Sequence, residues 1–422
     1  MRTTTRLTLF GCLCGAALVL GCSSFGVSWP SSSSFQKHLQ EQLIKAKPGD
    51  VIEIPEGKFQ LNRTLSLTAD KVTIRGKGMD RSILSFVGQK EGGSGLLVKA
   101  SNFVIEDVAI EDTAGDGLTI QGGNGVTIRR VRVEWTRGAN SENGPYAIYP
   151  TQSRNVLVED SVAKGAADAG FYIGQSDYVV IRRNRAEFNV DGYEVENSEH
   201  VDVYDNIATH NTGGLGVFNL PGLPKQGGKY VRVFGNQIFD NNTANFAPKS
   251  LGAIYHLPAG TGMYVMAINN VEVFQNTIRN NNTTNIYVIE YNSGLGEIKD
   301  VRYRPYTEQI HLHDNNISGG GKTPDLRQDD VKALSAVLGG PLPDVLYDGV
   351  IAPEIRAAKK GANPAQICIR NNGTFTFLNF DGSNGFKHPV SDLNAYQCSL
   401  EPLEAVIIPQ LPSASTKAQA VR

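Results

Sequence analysis

Carboxyl groups and tyrosines recur in the middle of this chain at spacings that would place them on one surface. Glu194 and Glu196 are separated by one residue, Val195, so on a β-strand both would point to the same side. Such neighbouring carboxyl groups can act as general acid and base, or can hold Ca²⁺. Aromatic rings nearby would stack on the face of a sugar ring. The binding residues that we predict on this surface are Tyr149, Tyr172, Glu196, Tyr264, Tyr287, Asp168 and Asp191.

The candidate catalytic residues are Glu194, Tyr172, His210 and Lys225, whose side chains could each take up or donate a proton. Each also has an ordinary structural explanation. Outward tyrosines have high β-propensity and stack on one another, the glutamates could be solvated, and a loop histidine or lysine is usually just exposed. Nothing in the chain has the ligand spacing of a zinc site, so the sequence predicts no metal-binding residues.

A repeated triplet indicates how these side chains are positioned. Val179 to Ile181 is followed by Asn184, and about 22 residues later Val201 to Val203 is followed by Asn206. A second apolar triplet comes about eight residues before each of these, and a third apolar pair follows the Asn, which makes three short strands per repeat. This pattern predicts an all-β fold, a single-stranded right-handed parallel β-helix, or solenoid, over residues 35–320.

Two series of asparagines recur in register with the triplets. The first continues to Asn236, Asn276 and Asn315, and the second comprises Asn189, Asn211, Asn241 and Asn281. Identical positions of stacked coils lie about 4.8 Å apart, so we expect each series to form a ladder. We expect the Asn itself to adopt the left-handed backbone of the corner, which Asn tolerates.

Four insertions flank one strand of the repeat and leave the other corners short. They fall at 134–145, 219–229, 242–261 and 291–308. Long loops on a rigid scaffold concentrate binding and catalysis, so we expect a groove along one sheet. Alternation along the strands would then place Tyr172 and Glu194 side by side on consecutive coils, facing this groove.

The two ends of the solenoid need covers. Phe35 to Ala46 has an apolar face typical of an amphipathic helix, which we expect to cap the first coil. Residues 321–422 would form either a C-terminal cap or a small lobe folding back along the solenoid, and we favour the cap. Cys368 and Cys398 are the two cysteines that lie beyond the first 22 residues, which have the features of an export signal. An even pair in an exported chain predicts a disulfide.

The first 22 residues have the features of an export signal. Arg2 and Arg6 precede an apolar run that ends in Gly21 and Cys22, and a Ser-rich stretch over 23–34 would form a tether. The Gly-Cys ending resembles the bacterial lipoprotein box, which implies lipidation at Cys22 and a lipid anchor. Ser23 favours the outer membrane, where we expect the protein to face the periplasm. The alternative is an ordinary secretory peptide with a chance Cys.

Charge does not identify a partner. The 422 residues include 40 Lys and Arg against 42 Asp and Glu, a net charge of −2, and no basic stripe suggests nucleic acid.

Longer motifs add a resemblance. The runs Tyr146–Pro150, Ser153–Leu157, Asp168–Ser176, Asn211–Gly214 and Val217–Pro221 are similar to those of a family of bacterial β-helix-repeat lipoproteins of unestablished activity. The resemblance covers the chain from about residue 35 to the cysteine tail, and it implies as a possible partner the exported c-type cytochrome-like protein whose gene often lies beside the family's own. The wider fold group resembles pectate lyases and mannuronan epimerases. The Asp-Pro-His-Glu run of the epimerases, and the Gly-His-Gly and Arg-Ile-Lys runs of polygalacturonases, are not found here, so those activities do not transfer residue by residue.

Two functions follow as hypotheses. In the first, a cell-envelope lipoprotein binds an acidic polysaccharide in its groove and cleaves or epimerises it, without an evident cofactor but with Ca²⁺ as an option. In the second, the solenoid is a non-catalytic scaffold that presents its loops to an envelope protein.

Overall fold

The chain winds into a parallel β-helix with three strands per coil. The computed structural model describes residues 32–409 except for 292–294, 296 and 359–360. The strands form one 11-stranded and one 19-stranded sheet, and every pairing between consecutive coils is parallel. The predicted all-β solenoid is therefore confirmed.

The 11-stranded sheet, which we call the groove sheet, carries the predicted functional surface. Its strands are Arg63–Leu67, Glu91–Val98, Leu118–Gln121, Ile148–Thr151, Ala169–Gly174, Asp191–Glu196, Gly213–Phe218, Thr261–Met266, Thr284–Ile289, Val345–Tyr347 and Phe377–Asn379.

The 19-stranded sheet covers two of the three sides of the solenoid, which we call the anchor face and the short face. They are joined where long strands bend from one side into the other. The anchor face holds Val51–Glu53, Thr73–Arg75, Phe103–Glu111, Asn124–Glu134, Arg154–Glu159, Asp177–Arg182, Glu199–Tyr204, Lys229–Phe234, Asn269–Phe274, Glu308–His313 and Ile367–Arg370. The short face holds Gly57–Gln60, Ser82–Ser85, Val162–Lys164, Arg185–Glu187, Ile207–Thr209, Gln237–Phe239, Thr277–Arg279 and Asn316–Ser318.

Aliphatic and aromatic columns fill the interior. In the groove sheet Phe171, Tyr193 and Leu215 occupy one column on consecutive coils, and each is at most 1% exposed. The rings of Phe171 and Tyr193 stack with their centroids 4.8 Å apart. Because inward positions are filled this tightly, the alternate residues of each strand must face outward.

Both asparagine ladders are present and buried. In the first, the Asn206 Oδ1 accepts from the backbone N–H and the Nδ2 of Asn184, while its own Nδ2 donates to the Ile181 carbonyl and to Asn236 Oδ1. The ladder continues to Asn372, one coil beyond the predicted series. The second ladder runs from Asn189 to Asn281 and ends on Asn285.

The backbone expectation for these corners was wrong by one residue. The left-handed conformation belongs to the residue before each Asn, as at Arg183 with φ 55°, Asp205 with φ 55° and Gly235 with φ 66°. The turn there aims the following Asn side chain along the stack, so its amide is chosen for hydrogen bonding to adjacent coils and not for its backbone tolerance.

A helix seals the first coil, as predicted. It spans Ser32–Lys45, and its buried face of Phe35, Leu39 and Leu43 packs into the same core as the strands. The Phe35 ring stacks on Phe59 with their centroids 3.8 Å apart. None of the described helices combines the length and apolarity needed to cross a bilayer.

The solenoid does not stop at residue 320. Strands Val345–Tyr347 and Ile367–Arg370 pair in parallel with the coil before them, and Phe377–Asn379 adds to the groove sheet after that. The boundary was misplaced because residues 319–344, including the helix Asp329–Leu338, form a long insertion that interrupts the repeat. A short helix at Pro353–Ala358 belongs to a second interruption.

The predicted C-terminal cap and the alternative of a segment folding back both occur. Tyr396, in a 3₁₀ turn at Asn394–Tyr396, is 2% exposed and packs against Phe377, closing the last coil. The predicted disulfide joins Cys368 to Cys398. Beyond it residues 399–409, which we call the strap, run back over the anchor face, where Leu403 N–H donates to Glu272 and Val406 N–H to Asp202.

Candidate functional site

A cavity of about 1160 Å³ lies on the outer side of the groove sheet. Its floor includes Glu194, Glu196 and Tyr264, and its walls come from segments inserted between strands. One wall is the 3₁₀ segment Lys249–His256 with the residues after it, and the other is the helix Asp329–Leu338. The four predicted insertions do flank this sheet, and the groove is confirmed, with the unpredicted fifth insertion at 319–344 as an additional wall.

The predicted outward column is present in the predicted register. Tyr172 pairs with Glu194, Glu194 with Gly216, and Gly216 with Tyr264, and the column continues to Tyr287. These side chains face away from the core, yet Tyr172, Glu194 and Tyr264 are 4%, 4% and 8% exposed. The rings of Tyr146 and Tyr149 cover Tyr172, whereas Glu194 and Tyr264 lie in the floor of the walled groove.

Tyr172 holds Glu196 in place. The Tyr172 hydroxyl donates to Glu196 Oε2 at 2.8 Å, while Glu196 Oε1 has no hydrogen-bond partner among the described residues. Gly174 makes room for this contact, because a Cβ there would lie 2.3 Å from the Tyr172 ring. Tyr149 packs edge-on against Tyr172 with ring centroids 4.8 Å apart, which supports the ring from the preceding coil.

A second tyrosine pairs with a second carboxyl group. The Tyr264 hydroxyl donates to Asp191 Oδ2 at 2.9 Å, and Asp191 Oδ1 is buried without a partner in the described part of the chain. Gly216 leaves the space for this ring, because a Cβ there would lie 2.2 Å from Tyr264 Cζ. The site thus contains two tyrosine–carboxyl pairs on one sheet, each made possible by a glycine in the same column or strand.

Burial dominates the electrostatics of the site. It raises the pKa of Glu196 to about 7 and that of Asp191 to about 8, although a tyrosine hydrogen bond lowers each of them. Burial, reinforced by neighbouring carboxyl groups, holds the pKa values of Asp168 and Glu194 well above their usual range. At neutral pH several of these groups are therefore protonated, and each can donate a hydrogen bond or a proton.

Comparison with known proteins identifies the fold. The model of the right handed beta helix region matches residues 66–222 and 141–299, which together span more than half of the chain. The chain belongs to the right-handed β-helix family. No curated protein matches it.

Two solved structures resemble this β-helix protein along most of its length. The A-module of the mannuronan C-5 epimerase AlgE6 from Azotobacter vinelandii has a TM-score of 0.54 at 19% identity, and the match covers 75% of each chain. The AlgE4 A-module of the same organism has a TM-score of 0.51 at 18% identity, covering 75% of this chain and 87% of that one. At such identities the likeness shows the fold alone.

Two predicted catalytic residues of this β-helix protein lie outside the groove. His210 sits at a corner, exposed, with its ring beside Phe188, because the residue before a ladder Asn points away from the coil. Lys225 lies in the 219–228 loop, where its Nζ donates to the carbonyl of Ser176, just past the end of strand Ala169–Gly174. Insertions that flank a sheet on both edges do not tell which loop residues turn inward.

Tyr172 is also not suited to the role of base. Burial and the adjacent Glu196 raise its pKa strongly, so the phenol stays protonated. The other predicted binding residues are in or beneath the groove: Asp168, Glu196, Tyr264 and Tyr287 line it, while Asp191 accepts from Tyr264 and Tyr149 packs on Tyr146, another lining residue. The predicted lipidation residue Cys22 lies outside the described residues.

Sequence reasoning missed Tyr146 and the apolar walls. Tyr146 lines the groove, hydrogen-bonds to Asp168 and packs on Tyr172 with ring centroids 4.6 Å apart. It stands at the end of an insertion, outside any repeat position. Leu257 and Leu334 line the groove from segments that the repeat does not specify.

Among the described residues, no cluster of three Asp, Glu, His or Cys ligand atoms lines the groove, as a preformed Ca²⁺ site would require. In the described part of the chain, two sets of three such residues bring their ligand atoms within 4.8 Å of one another. One set is Glu272, His311 and His313, and the other is Asp177, Glu199 and His200. Neither set lines the groove. The oxygens of Glu194 and Glu196 are of the type Ca²⁺ prefers, but among the described residues no third Asp, Glu, His or Cys ligand atom joins them within 4.8 Å.

Proposed function

We propose that the groove binds a polysaccharide and acts on one of its sugar residues by proton transfer through Glu194 and Glu196. The observation that carries this proposal is the state of Glu196. One of its oxygens is fixed by Tyr172, and the other is buried in the lining of the cavity without a partner among the described residues. An unpaired buried oxygen costs about 1–3 kcal/mol, a cost that a ligand hydroxyl would remove.

The walls and floor suit a sugar ring as well. Sugars present hydroxyl groups at their edges and C–H groups on their faces. The floor offers carboxyl groups for the edges, and it offers the rings of Phe218 and Tyr264, with centroids 5.5 Å apart, for the faces. The epimerase modules that share this fold are named for their action on mannuronan, a likeness that supports a polysaccharide ligand here.

Lyase or C5-epimerase chemistry needs a base that removes the C5 proton and an acid that supplies one. Glu196, with a pKa of about 7, is partly ionised near neutral pH and provides the base. Glu194, whose pKa is raised further by burial and by the carboxyl groups of Asp168 and Asp191, stays protonated and provides the acid. In a lyase that proton goes to the departing glycosidic oxygen as the C4–O bond breaks; in an epimerase it returns to C5 from the opposite face.

The carboxylate of an acidic sugar needs a partner in a cavity that is itself rich in carboxyl groups. Arg327 is the only Lys or Arg among the described residues that line the cavity, whereas the carboxyl groups are many, and Arg327 is already paired with Asp325. A uronate carboxylate is therefore accepted through hydrogen bonds from protonated carboxyl groups, or through Ca²⁺ bridging it to Glu194 and Glu196. Without Ca²⁺, affinity for such a chain should fall as the pH rises through about 7 to 8, the pKa values of Glu196 and Asp191, because the carboxyl groups lose the protons they donate. A Ca²⁺ bridge would reverse this trend, because the cation binds the ionised carboxylates.

The proposal places the protein at the cell envelope. Lipidation at Cys22 and the 23–34 tether would anchor the solenoid to the outer membrane on its periplasmic side, within reach of exported polysaccharide. The sequence features of the first 22 residues support this location.

A glycan array with the wild-type protein, followed by turnover assays, tests the function. Lyase activity forms an unsaturated uronate that absorbs in the ultraviolet, and epimerase activity exchanges the C5 proton with deuterium from the solvent. We expect Glu194→Gln to abolish turnover while it keeps affinity within about tenfold, which is 1.4 kcal/mol. Tyr172→Phe should weaken both turnover and affinity, because it removes the hydrogen bond that holds Glu196 in place.

Tyr204→Phe is the matched control, since Tyr204 lies on the anchor face and loses only a contact with Arg182. Parallel titrations with Ca²⁺ and with EDTA decide whether a cation takes part. Binding without turnover would support a carbohydrate-binding module and exclude the enzyme. If no glycan binds, the proposal fails in favour of the scaffold function, with an envelope protein such as the exported c-type cytochrome as the partner to examine.

A further inference from the structure

A cluster of metal-ligating side chains lies on the opposite side of the solenoid from the groove. Glu272 and His311 occupy the same outward position on consecutive coils of the anchor face, and His313 follows two residues later on the same strand. Each of the three offers a ligand atom, and these atoms lie within 4.8 Å of one another. The imidazole rings of the two histidines are 4.2 Å apart between centroids.

His311 is the part of this cluster that the protein alone does not explain. Its residue is 4% exposed, and neither Nδ1 nor Nε2 has a hydrogen-bond partner in the described part of the chain. A buried polar ring without partners is costly, and natural proteins rarely keep one without a bound group to satisfy it.

The other two side chains are already oriented. The His313 Nδ1 lies 2.7 Å from Asp314 Oδ2, and its Nε2 faces Glu272 Oε1 at 3.1 Å. A carboxylate on the far ring nitrogen is the usual outer partner of a metal-binding histidine, because it fixes the tautomer and raises the basicity of the ligating nitrogen. The second Glu272 oxygen accepts the Leu403 N–H of the strap at 3.0 Å, which holds the carboxylate toward the rings.

We propose that Glu272, His311 and His313 bind a divalent transition metal ion of the zinc type beneath the strap. Two imidazole nitrogens and one carboxylate oxygen are a donor set that Zn²⁺ accepts, with the fourth position left to water. Arg370 is in register with His313 on the next coil and brings one positive charge near the site. The two carboxylates of Glu272 and Asp314 outweigh this charge, so the site can still attract a cation.

The strap makes this a covered site. Cys398 anchors its start by the disulfide to Cys368, which pairs in register with His311. Further along, Leu403 and Val406 are tied to Glu272 and Asp202. The metal would thus link the strap to two coils of the solenoid.

The test uses the full chain, purified without an affinity tag and stripped with EDTA. Zn²⁺ is titrated in competition with a chromophoric chelator, and Co²⁺ is titrated while its visible absorption bands are recorded. We expect one Zn²⁺ per chain and Co²⁺ bands typical of four ligands. His311→Ala removes a ligand and should lower the affinity for Zn²⁺ by about 100-fold, the upper end of what the loss of an outer-shell partner causes. Asp314→Asn changes such an outer-shell partner and should lower the affinity by about tenfold.

Glu272→Gln keeps the size of the side chain and guards against misfolding of the alanine variant, with circular dichroism as the check. His200→Ala is the matched control. His200 belongs to the second cluster, with Asp177 and Glu199. These three side chains are half-buried, and none of them has a buried nitrogen or oxygen left without a partner. Equal affinity in wild type, His311→Ala and Glu272→Gln overturns the proposal, as does a loss that follows His200→Ala alone.

Discussion

Replacing Asn206 by Leu should destabilise the solenoid because it removes one rung of the first ladder. The side chain is 1% exposed and takes part in four hydrogen bonds, two accepted from Asn184 and one each donated to Ile181 and Asn236. Net loss of a hydrogen bond costs about 0.5–1.5 kcal/mol, and an orphaned buried group costs about 1–3 kcal/mol. The Asn184 N–H loses its acceptor outright, so we expect a total of about 3–5 kcal/mol.

Denaturant unfolding with the disulfide intact measures this difference, with Asn316→Leu as the matched control. Asn316 is an exposed strand residue, so the same exchange there should stay within about 0.5 kcal/mol. Because long repeat arrays can unfold in parts, hydrogen exchange over residues 177–190 gives a local readout, and it should quicken at the Asn184 amide. Equal stability of the two variants, with unchanged exchange at Asn184, would refute the claim that the ladder supports the coils.

Three further predictions concern the anchor, the disulfide and the groove. Cys22→Ala should move the protein from the membrane fraction to the soluble fraction with an unchanged melt, and continued sedimentation of a normally processed precursor would contradict lipidation. Cys398→Ala should lower stability by about 3–4 kcal/mol, since the bridge closes a loop with a sequence separation of 30; an unchanged melt under oxidising conditions would count against the bond. Burial raises the pKa of Glu196 from 4.5 to about 7, so between pH 4.5 and about 7 the unfolded chain ionises this group while the folded chain keeps its proton. This contribution, on the order of 3 kcal/mol, is fully present below pH 4.5 and is lost as the pH rises through 7, and Glu196→Gln should remove that part of the pH dependence of unfolding.

The fold was predictable because its constraints repeat. A stacked coil imposes the same inward column and the same corner at every turn, so Phe171, Tyr193 and Leu215 or the Asn series report one geometry many times. The prediction failed where the repeat is interrupted: the insertion at 319–344 hid the last coils. No local pattern marks a strand that returns after so long a gap.

The site was predictable only in its floor. Alternation placed Tyr172 beside Glu194 correctly, because it follows from strand geometry alone. What decides the chemistry is burial by the inserted walls and the pairing of each carboxyl group with a tyrosine, which depend on loop conformation and on glycines such as Gly216. The His311 cluster shows the same limit: two histidines at alternate positions share a face, but the carboxylate that completes the set lies 39 residues earlier on the neighbouring coil.

A crystal structure with a bound oligosaccharide tests the central claim most directly. We predict a sugar ring in the groove, with a hydroxyl or carboxylate group within hydrogen-bonding distance of Glu196 Oε1, the oxygen that has no partner among the described residues. Its apolar face should lie against Tyr264. A ligand bound only elsewhere on the solenoid, or a groove left empty by an oligosaccharide that binds in solution, would contradict the account.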